Sequence, residues 1–446
     1  MGKKIIVFMT LVGVSLVYNT FAAVENIKVG GDITTYAIDR SNFGFGAGAD
    51  DINLMASITN LMFDADLTED VLVTAVITDE RVWGAESELF LNQGYVTFSN
   101  LFDYPLTVKI GLQPIILGSG ILVGDPDSNK FTEHTTPFSV VSGNFIEDLS
   151  PRKSFAGIVT KYDINEDMLS SLTLAYLKPD TDNSRFQSEG KGDENDDTNI
   201  YVAYFQSVIG PNIMGDLYFV YKDTQSQTPW QPFQGADVGN LGLRIQSKPL
   251  ENLIIFLEYI YQYGKGENEI IFGTPIRWDG KHRSDNLFNI GGQYTFSDFP
   301  MSPALRGSFY LLTEHWDPMF ENVTVGRIAN ALFCGTNGKV ISAGVTLNLR
   351  EDLSFSVDYF RADTYESEGI KVAGDQYALL LAPPFGNSLD PSKKHVFDEV
   401  DITLSYAYTE DIQFSFIADY LKPGSFFTEA NDKSAHQIIA SMKVSF

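Results

Sequence analysis

The last ten residues, QIIASMKVSF (437–446), decide how the whole chain is read. Ile438, Ala440, Met442, Val444 and Phe446 fall on one face of an extended strand. Gln437, Ile439, Ser441, Lys443 and Ser445 fall on the other, which is polar except for Ile439. This is the period of two that marks a strand with one wet and one apolar face. A soluble chain usually frays at its C-terminus and keeps polar residues there. Here the apolar row runs to the final phenylalanine, so its partner must be a core or lipid.

Working outward from this strand, the same alternation recurs and helical periodicity is scarce. It predicts strands at 27–37, 53–63, 71–80, 89–98, 106–116, 153–162, 169–178, 198–208 and 212–223. It continues at 238–248, 252–263, 286–297, 303–314, 338–349, 353–364, 398–408, 411–421 and 435–446. That makes 18 strands, each near the length that crosses a bilayer at a tilt. Their connections alternate. LTED, INED, GPN, PLE, RED and TED are tight turns, whereas 117–152 and 365–397 exceed thirty residues. A compact soluble domain rarely tolerates such loops, but an outer-membrane barrel has short periplasmic turns and long outer loops. An even strand count puts both termini on the short-turn side. The C-terminal strand is then expected to pair with 27–37 and leave no edge, with Lys443 facing a channel.

Composition narrows the field further. The chain has 446 residues with 31 basic and 58 acidic side chains, net −27. Such a surface repels phosphate, so nucleic acid is excluded as a partner. Apolar residues make up 44%, which argues against disorder, and 21 Tyr with 33 Phe suit strands and interfaces. The single cysteine, Cys334, can build neither an internal disulfide nor a zinc site. Residues 1–22 read as a secretory signal. Lys3 and Lys4 form the basic region, Ile5 to Val17 the apolar run, and cleavage falls near Ala22 or Ala23. Without Lys3 and Lys4 the counts are 29 basic and 58 acidic, net −29. No cysteine follows the cleavage site, so it is not a lipoprotein signal. Residues 23–446 are read as one barrel domain, with neither plug nor periplasmic extension before the first strand. No later segment is long and apolar enough for a membrane helix. Two architectures fit: an all-β transmembrane antiparallel up-and-down barrel, or a secreted soluble β protein. Only the barrel accounts for the loop asymmetry and the terminal phenylalanine.

Two stretches carry a resemblance. LTVKIGLQPIILGSGILVGDPD (106–127) runs from a strand through Gly-x-Gln into a Gly-rich loop. FDEVDITLSYAYTEDIQFSFIADYLKPGSFF (397–427) has an acidic strand start, a tight turn and Pro-Gly-aromatic. Together they resemble the alginate-export family of outer-membrane porins. The resemblance implies an 18-stranded monomeric barrel and a hydrophilic permeant, either a small solute or a polysaccharide. Gly111-Leu112-Gln113 stands where that family often has Gly-Arg-Gln, and the chain is acidic where alginate exporters are basic. The terminal phenylalanine resembles the tag that outer-membrane assembly machinery reads.

Alternation also nominates the residues lining the lumen. The basic set is Lys28, Lys109, Lys222, Arg244, Arg306 and Lys443. The acidic set is Asp32, Asp216, Glu258, Glu314, Asp358, Asp401 and Asp419. A Lys or Arg on the lipid face at midplane would cost about 2–4 kcal/mol, so these charges are expected to point inward. They serve either as a selectivity lining or as mutual pairs within a polar interior. Loop 117–152 is the expected constriction. It contains Asp125, Asp127 and Asn129, which match the start of a calcium loop but lack its glycine and closing glutamate. No other cofactor is expected. His134, His282, His315, His395 and His436 form no catalytic motif, so the chain is not read as an enzyme. The competing function is a surface-binding barrel whose acidic loops hold a partner or cation above a closed pore.

Overall fold

Strand formation follows the alternation just described. β-branched and aromatic residues cover one face of each segment, small and polar residues the other, and Asn, Asp, Gly or Pro occupies the turns. The computed structural model describes residues 26–43, 51–84, 87–126, 147–165, 168–179, 197–225, 237–265, 270–271, 274–275, 282–314, 316–323, 325–332, 335, 337–366, 371–372, 376–377, 390, 392–429 and 432–446. The signal segment 1–22, Cys334, Asp127, Asn129, His134 and His315 lie outside them.

The barrel strands are β1 (Asn26–Ser41), β2 (Ile52–Thr68), β3 (Val71–Val82), β4 (Ser87–Phe98), β5 (Leu106–Pro114) and β6 (Ser154–Asn165). They continue with β7 (Ser170–Lys178), β8 (Asp197–Gly210), β9 (Ile213–Gln225), β10 (Asp237–Leu250), β11 (Leu253–Lys265) and β12 (His282–Thr295). The last six are β13 (Ala304–Leu312), β14 (Gly338–Arg350), β15 (Leu353–Thr364), β16 (His395–Ala407), β17 (Ile412–Pro423) and β18 (Ala435–Ser445). Each pairs antiparallel with its sequence neighbours. β18 returns to β1, with Gln437 opposite Arg40 and Ser445 opposite Asp32, which closes an 18-stranded sheet. Phe446 completes the seam by exchanging two backbone hydrogen bonds with Gly31, at 2.9 and 3.0 Å. Inside one outer loop lies a short helix, α1 (Arg327–Leu332).

The strands run longer than the alternation alone indicated, β1 by four residues beyond 37. One expectation needs correction. The strand expected at 303–314 ends at Leu312, so Glu314 sits in a turn instead of on the wall. The cause is local. The Trp316 N–H donates to the Thr313 carbonyl at 3.3 Å, and the chain bends there so that Trp316 becomes buried.

At the short turns the register slips near the strand end, as at Ser247/Leu250 and Asn348/Arg350, which lets a two-residue connection follow the sheet twist. Asn212 in the turn between β8 and β9 takes φ +58°, a conformation that asparagine tolerates better than most residues.

The outward face is an apolar band exemplified by Leu241, Leu243, Ile255, Ile290, Leu305 and Ile438, all solvent-exposed. No water-soluble monomer carries so continuous an apolar surface, whereas a bilayer matches it. Aromatic groups edge the band. At the short-turn end Tyr406 stacks on Phe414 at 6.5 Å, and Tyr294 meets Phe296 edge-on at 4.7 Å. At the long-loop end Tyr hydroxyls donate to polar neighbours: Tyr176 to Asn199 at 2.6 Å, Tyr221 to Asp237 at 3.1 Å, and Tyr359 to Asp398 at 2.6 Å. Rings with one apolar and one polar end settle at such interfaces.

A first prediction follows. Leu243→Arg puts a cation on the lipid face near midplane and should destabilise the barrel by about 2–4 kcal/mol in a denaturant titration in lipid vesicles. The native Arg244 escapes this penalty because the pleat turns it inward, opposite Glu258 and Asp216.

Candidate functional site

The inward face can be traced around the barrel by register. Lys109 lies opposite Thr97 and Val159, Asp216 opposite Arg244, Arg244 opposite Glu258, and Asp358 opposite Asp401. Lys28, Asp32, Lys222, Arg306, Asp419 and Lys443 share the same inward parity. Near the short-turn mouth Lys28 lies 3.7 Å from Asp66, and Lys443 lies 3.7 Å from Asp32. Lys109 sits over the Tyr95 ring at 5.3 Å.

Two chain segments then cross this lumen. The first, 115–126, follows β5. Its Gly118 takes φ +58°, and a Cβ there would crowd the Glu258 carboxylate, so only glycine lets the chain pass so close to the wall. Glu258 accepts hydrogen bonds from Ser119 and, at 2.6 Å, from the Tyr218 hydroxyl. The second segment, 316–332, leaves the loop between β13 and β14. The two segments pair through their backbones. Phe320 N–H donates to the Leu122 carbonyl at 3.0 Å, Gly124 N–H to the Phe320 carbonyl at 3.0 Å, and Asn322 N–H to the Gly120 carbonyl at 2.8 Å. Leu117, Ile121, Leu122, Val123, Trp316 and Phe320 pack with apolar side chains of the inner wall into one buried cluster.

The second segment is anchored at both ends. Asp317 accepts from Lys222 at 2.7 Å and exchanges hydrogen bonds with Gln262, its N–H donating to Gln262 Oε1 at 2.7 Å. At the other end Arg327 Nη1 donates to Asp419 at 2.9 Å, and its backbone N–H donates to Asp401 at 3.1 Å. Ile328 and Ala329 N–H groups donate to the two oxygens of Glu399 at 2.7 and 2.9 Å. Gly326, at φ +94°, makes that approach possible, because a Cβ would collide with Glu399. The segment therefore ties β9 and β11 to β16 and β17. A third contact pins residues 147–153: Asp148 takes a 2.6 Å ion pair from Arg40, and Ser150 donates to Glu80.

The segments decide which inward charges meet solvent. Lys222, Glu258, Asp216, Asp401 and Asp419 point inward but lie covered. Arg306 holds Asp358 through two parallel bonds, Nε at 2.6 Å, and also donates to Thr346 at 2.6 Å. Arg244 reaches Asp216 at 3.2 Å and Gln246 at 2.6 Å. A cavity of about 310 Å³ opens between Arg306, Arg327, Ser342, Asp358, Phe360 and Asp401. In four of the ion pairs the base is the more exposed partner, whereas Lys222 and Asp317 are equally covered and Arg40 is more deeply buried than Asp148. Side-chain exposure is 17% for Arg244 against 1% for Asp216, 31% for Arg327 against 0% for Asp419, and 38% for Lys153 against 2% for Asp125. Arg306 follows the trend at 31% against 18% for Asp358.

Asp125, the described member of the calcium triplet, is buried 3.7 Å from Lys153. No metal-ligating group of three or more His, Cys, Asp or Glu occurs among the described residues. His395 lies between Asp363 and Asp398 at 3.2 and 3.0 Å, on the outer wall away from the lumen.

Sequence reasoning missed Arg327, Glu399, Asp317 and the Arg40–Asp148 pair. One signal pointed to Arg327 alone. Asp401 and Asp419 were placed inward on adjacent strands, and two acids facing each other require a cation from elsewhere.

Neither family models nor curated proteins gave a match to this sequence. Solved structures do. OprD from Pseudomonas aeruginosa is 12% identical, covers 95% of this chain and 96% of its own, and superposes with TM-score 0.57. OccK8 (OprE) from the same organism is 12% identical over 95% and 99%, with TM-score 0.57. OccK11 (OpdR), also from that organism, is 11% identical over 95% and 97%, with TM-score 0.54. The chain thus has the fold of the OprD/Occ outer-membrane barrels, a closed antiparallel barrel of 18 strands.

Proposed function

We propose that the protein is an outer-membrane porin that passes small hydrophilic solutes by diffusion and prefers anions. The shared barrel architecture supports a porin, and the crossing of the lumen by 115–126 and 316–332 favours a small solute over a polymer. The carrying observation is the asymmetry within the lumen ion pairs. In the Arg244, Arg306, Arg327 and Lys153 pairs the acid is buried under its base, so at these places the passage presents guanidinium and ammonium groups although the chain is acidic as a whole. The exposed bases supply the field that selects the permeant. The Arg306–Arg327 cavity is the narrow site where an anionic group of the solute would be met.

The test is the reversal potential under a salt gradient in planar bilayers. Wild type is expected to favour anions. A guanidinium about 7 Å from a permeant ion attracts an anion and repels a cation by about 0.6 kcal/mol each in water, so Arg244→Gln with Arg306→Gln should lower the anion-to-cation permeability ratio by a factor of up to about 7 per residue. A cation-selective wild type would overturn the anion preference. A barrel that never conducts would favour the closed, surface-binding reading. The alginate-export version, read from 106–127 and 397–427, requires in addition that anionic oligosaccharides block the current from one side.

A further inference from the structure

Where β16 meets β17, three carboxyl groups gather on the inner wall. Glu399 and Asp401 stand two residues apart on one face of β16, and Asp401 lies opposite Asp419. All three are buried, at 0, 4 and 3% exposure. Consecutive backbone N–H groups of the docked segment draw the carboxyl groups together, Arg327 donating to Asp401 at 3.1 Å and Ile328 and Ala329 to Glu399 at 2.7 and 2.9 Å. Among the described residues Arg327 is the cation that touches two of them, 2.9 Å from Asp419 and 3.9 Å from Asp401, and it also donates to Thr403 at 2.7 Å.

Among the described residues, full ionisation would leave three buried negative charges against one positive charge. Burial of uncompensated charge at that level is prohibitive. Asp401 Oδ1 is moreover buried without any partner. Neighbouring groups do not resolve the excess. Asp358, opposite Asp401 on β15, is already taken by Arg306. On β18, Gln437 donates to Asp419 at 2.7 Å, but it is a neutral amide. Its own oxygen accepts from Arg40 of β1 at 2.9 Å, and that guanidinium is committed to Asp148. The N–H groups of α1 neutralise nothing. Neighbouring carboxyl groups buried side by side are stable when they share a proton, which turns repulsion into a bond. Two such contacts need two protons, and the one remaining negative charge is balanced by Arg327.

We propose that Glu399, Asp401 and Asp419 hold two shared protons and form a pH-sensitive latch that keeps the 316–332 segment docked across the lumen. While protonated, the trio offers Arg327 one net charge and α1 a set of acceptors. Stripped of its protons at alkaline pH, it becomes a cluster of mutually repelling charges that drives the wall strands and the docked segment apart. The passage then widens.

Infrared difference spectroscopy on the folded barrel in detergent tests the protons directly. The expected result is a protonated-carboxyl stretch at neutral pH that shifts in D₂O, vanishes on alkalinisation, and is lost in the Glu399→Gln/Asp401→Asn double variant. Asp419→Asn alone should weaken it, which provides a second variant if the double one fails to fold. Absence of the band in wild type, or its persistence in the variants, overturns the proposal. In planar bilayers wild-type conductance should rise as the pH is made alkaline, and that of the double variant should not. This arm rests on the channel reading. A band without any current at any pH would sink the channel and leave the shared protons standing; pH-independent current together with the band would sink the latch.

Discussion

A chain lacking residues 435–446 is expected to give no heat-resistant barrel in detergent and no protease-protected core in vesicles. Removing β18 strips β1 of its partner from Asp32 to Ser41 and β17 of its partner from Ile412 to Leu421. Both strands then present unpaired N–H and C=O groups to hydrocarbon, each costing several kcal/mol. No rearrangement of the other strands can close the gap, because each already uses both edges. Phe446→Ala separates closure from recognition. It keeps the backbone bonds to Gly31 and so should refold in vitro like wild type. If assembly machinery reads the aromatic ring, as we propose, the yield in cell membranes should fall while in-vitro refolding stays unchanged. Efficient barrel formation by the truncated chain would refute the closing role of β18.

The second large effect is expected at Arg327. Arg327→Met keeps most of the side-chain volume and removes the charge that balances the acidic trio. Breaking a buried ion pair by removing one partner costs about 3–5 kcal/mol, and the low end applies here because the guanidinium keeps a third of its surface exposed. That cost falls on the docking of 316–332 and not on the strands, whose pairing is untouched. Heat modifiability should therefore persist while single-channel conductance rises and anion preference falls, since a lumen cation is lost as well. Conductance and selectivity equal to wild type would show that the segment is held by its apolar packing around Trp316 and Phe320 and by the Asp317 anchor alone.

These two predictions differ in how far they were legible in the sequence. The seam at β18 was visible in ten residues, because period-two alternation is a local property and a barrel repeats it strand after strand. The parity of Arg244, Arg306, Asp358 and Asp419 follows from the same rule, and their cross-strand partners follow once neighbours pair in sequence order. Glu314 shows where the rule ends. It kept the parity of β13 but stood beyond the bend at Thr313, and alternation does not mark a bend.

The 316–332 segment obeys no such rule. Nothing in VGRIANAL (325–332) indicates that it will meet three acids seventy to ninety residues further along the chain. Alternation gave a lumen of mixed sign, six basic and seven acidic positions, with no indication of which would be covered. By itself the sequence determined the strand number, the two faces, the short and long ends and the closing strand, because each depends on a periodicity carried within a few residues. The tertiary structure alone decided which inward charges reach the permeant. That depends on what two loops cover, and their packing against the wall and each other is non-local. By burying Asp216, Asp419 and Asp125 beneath their bases, it leaves arginine and lysine the more exposed partners in those pairs of an acidic chain.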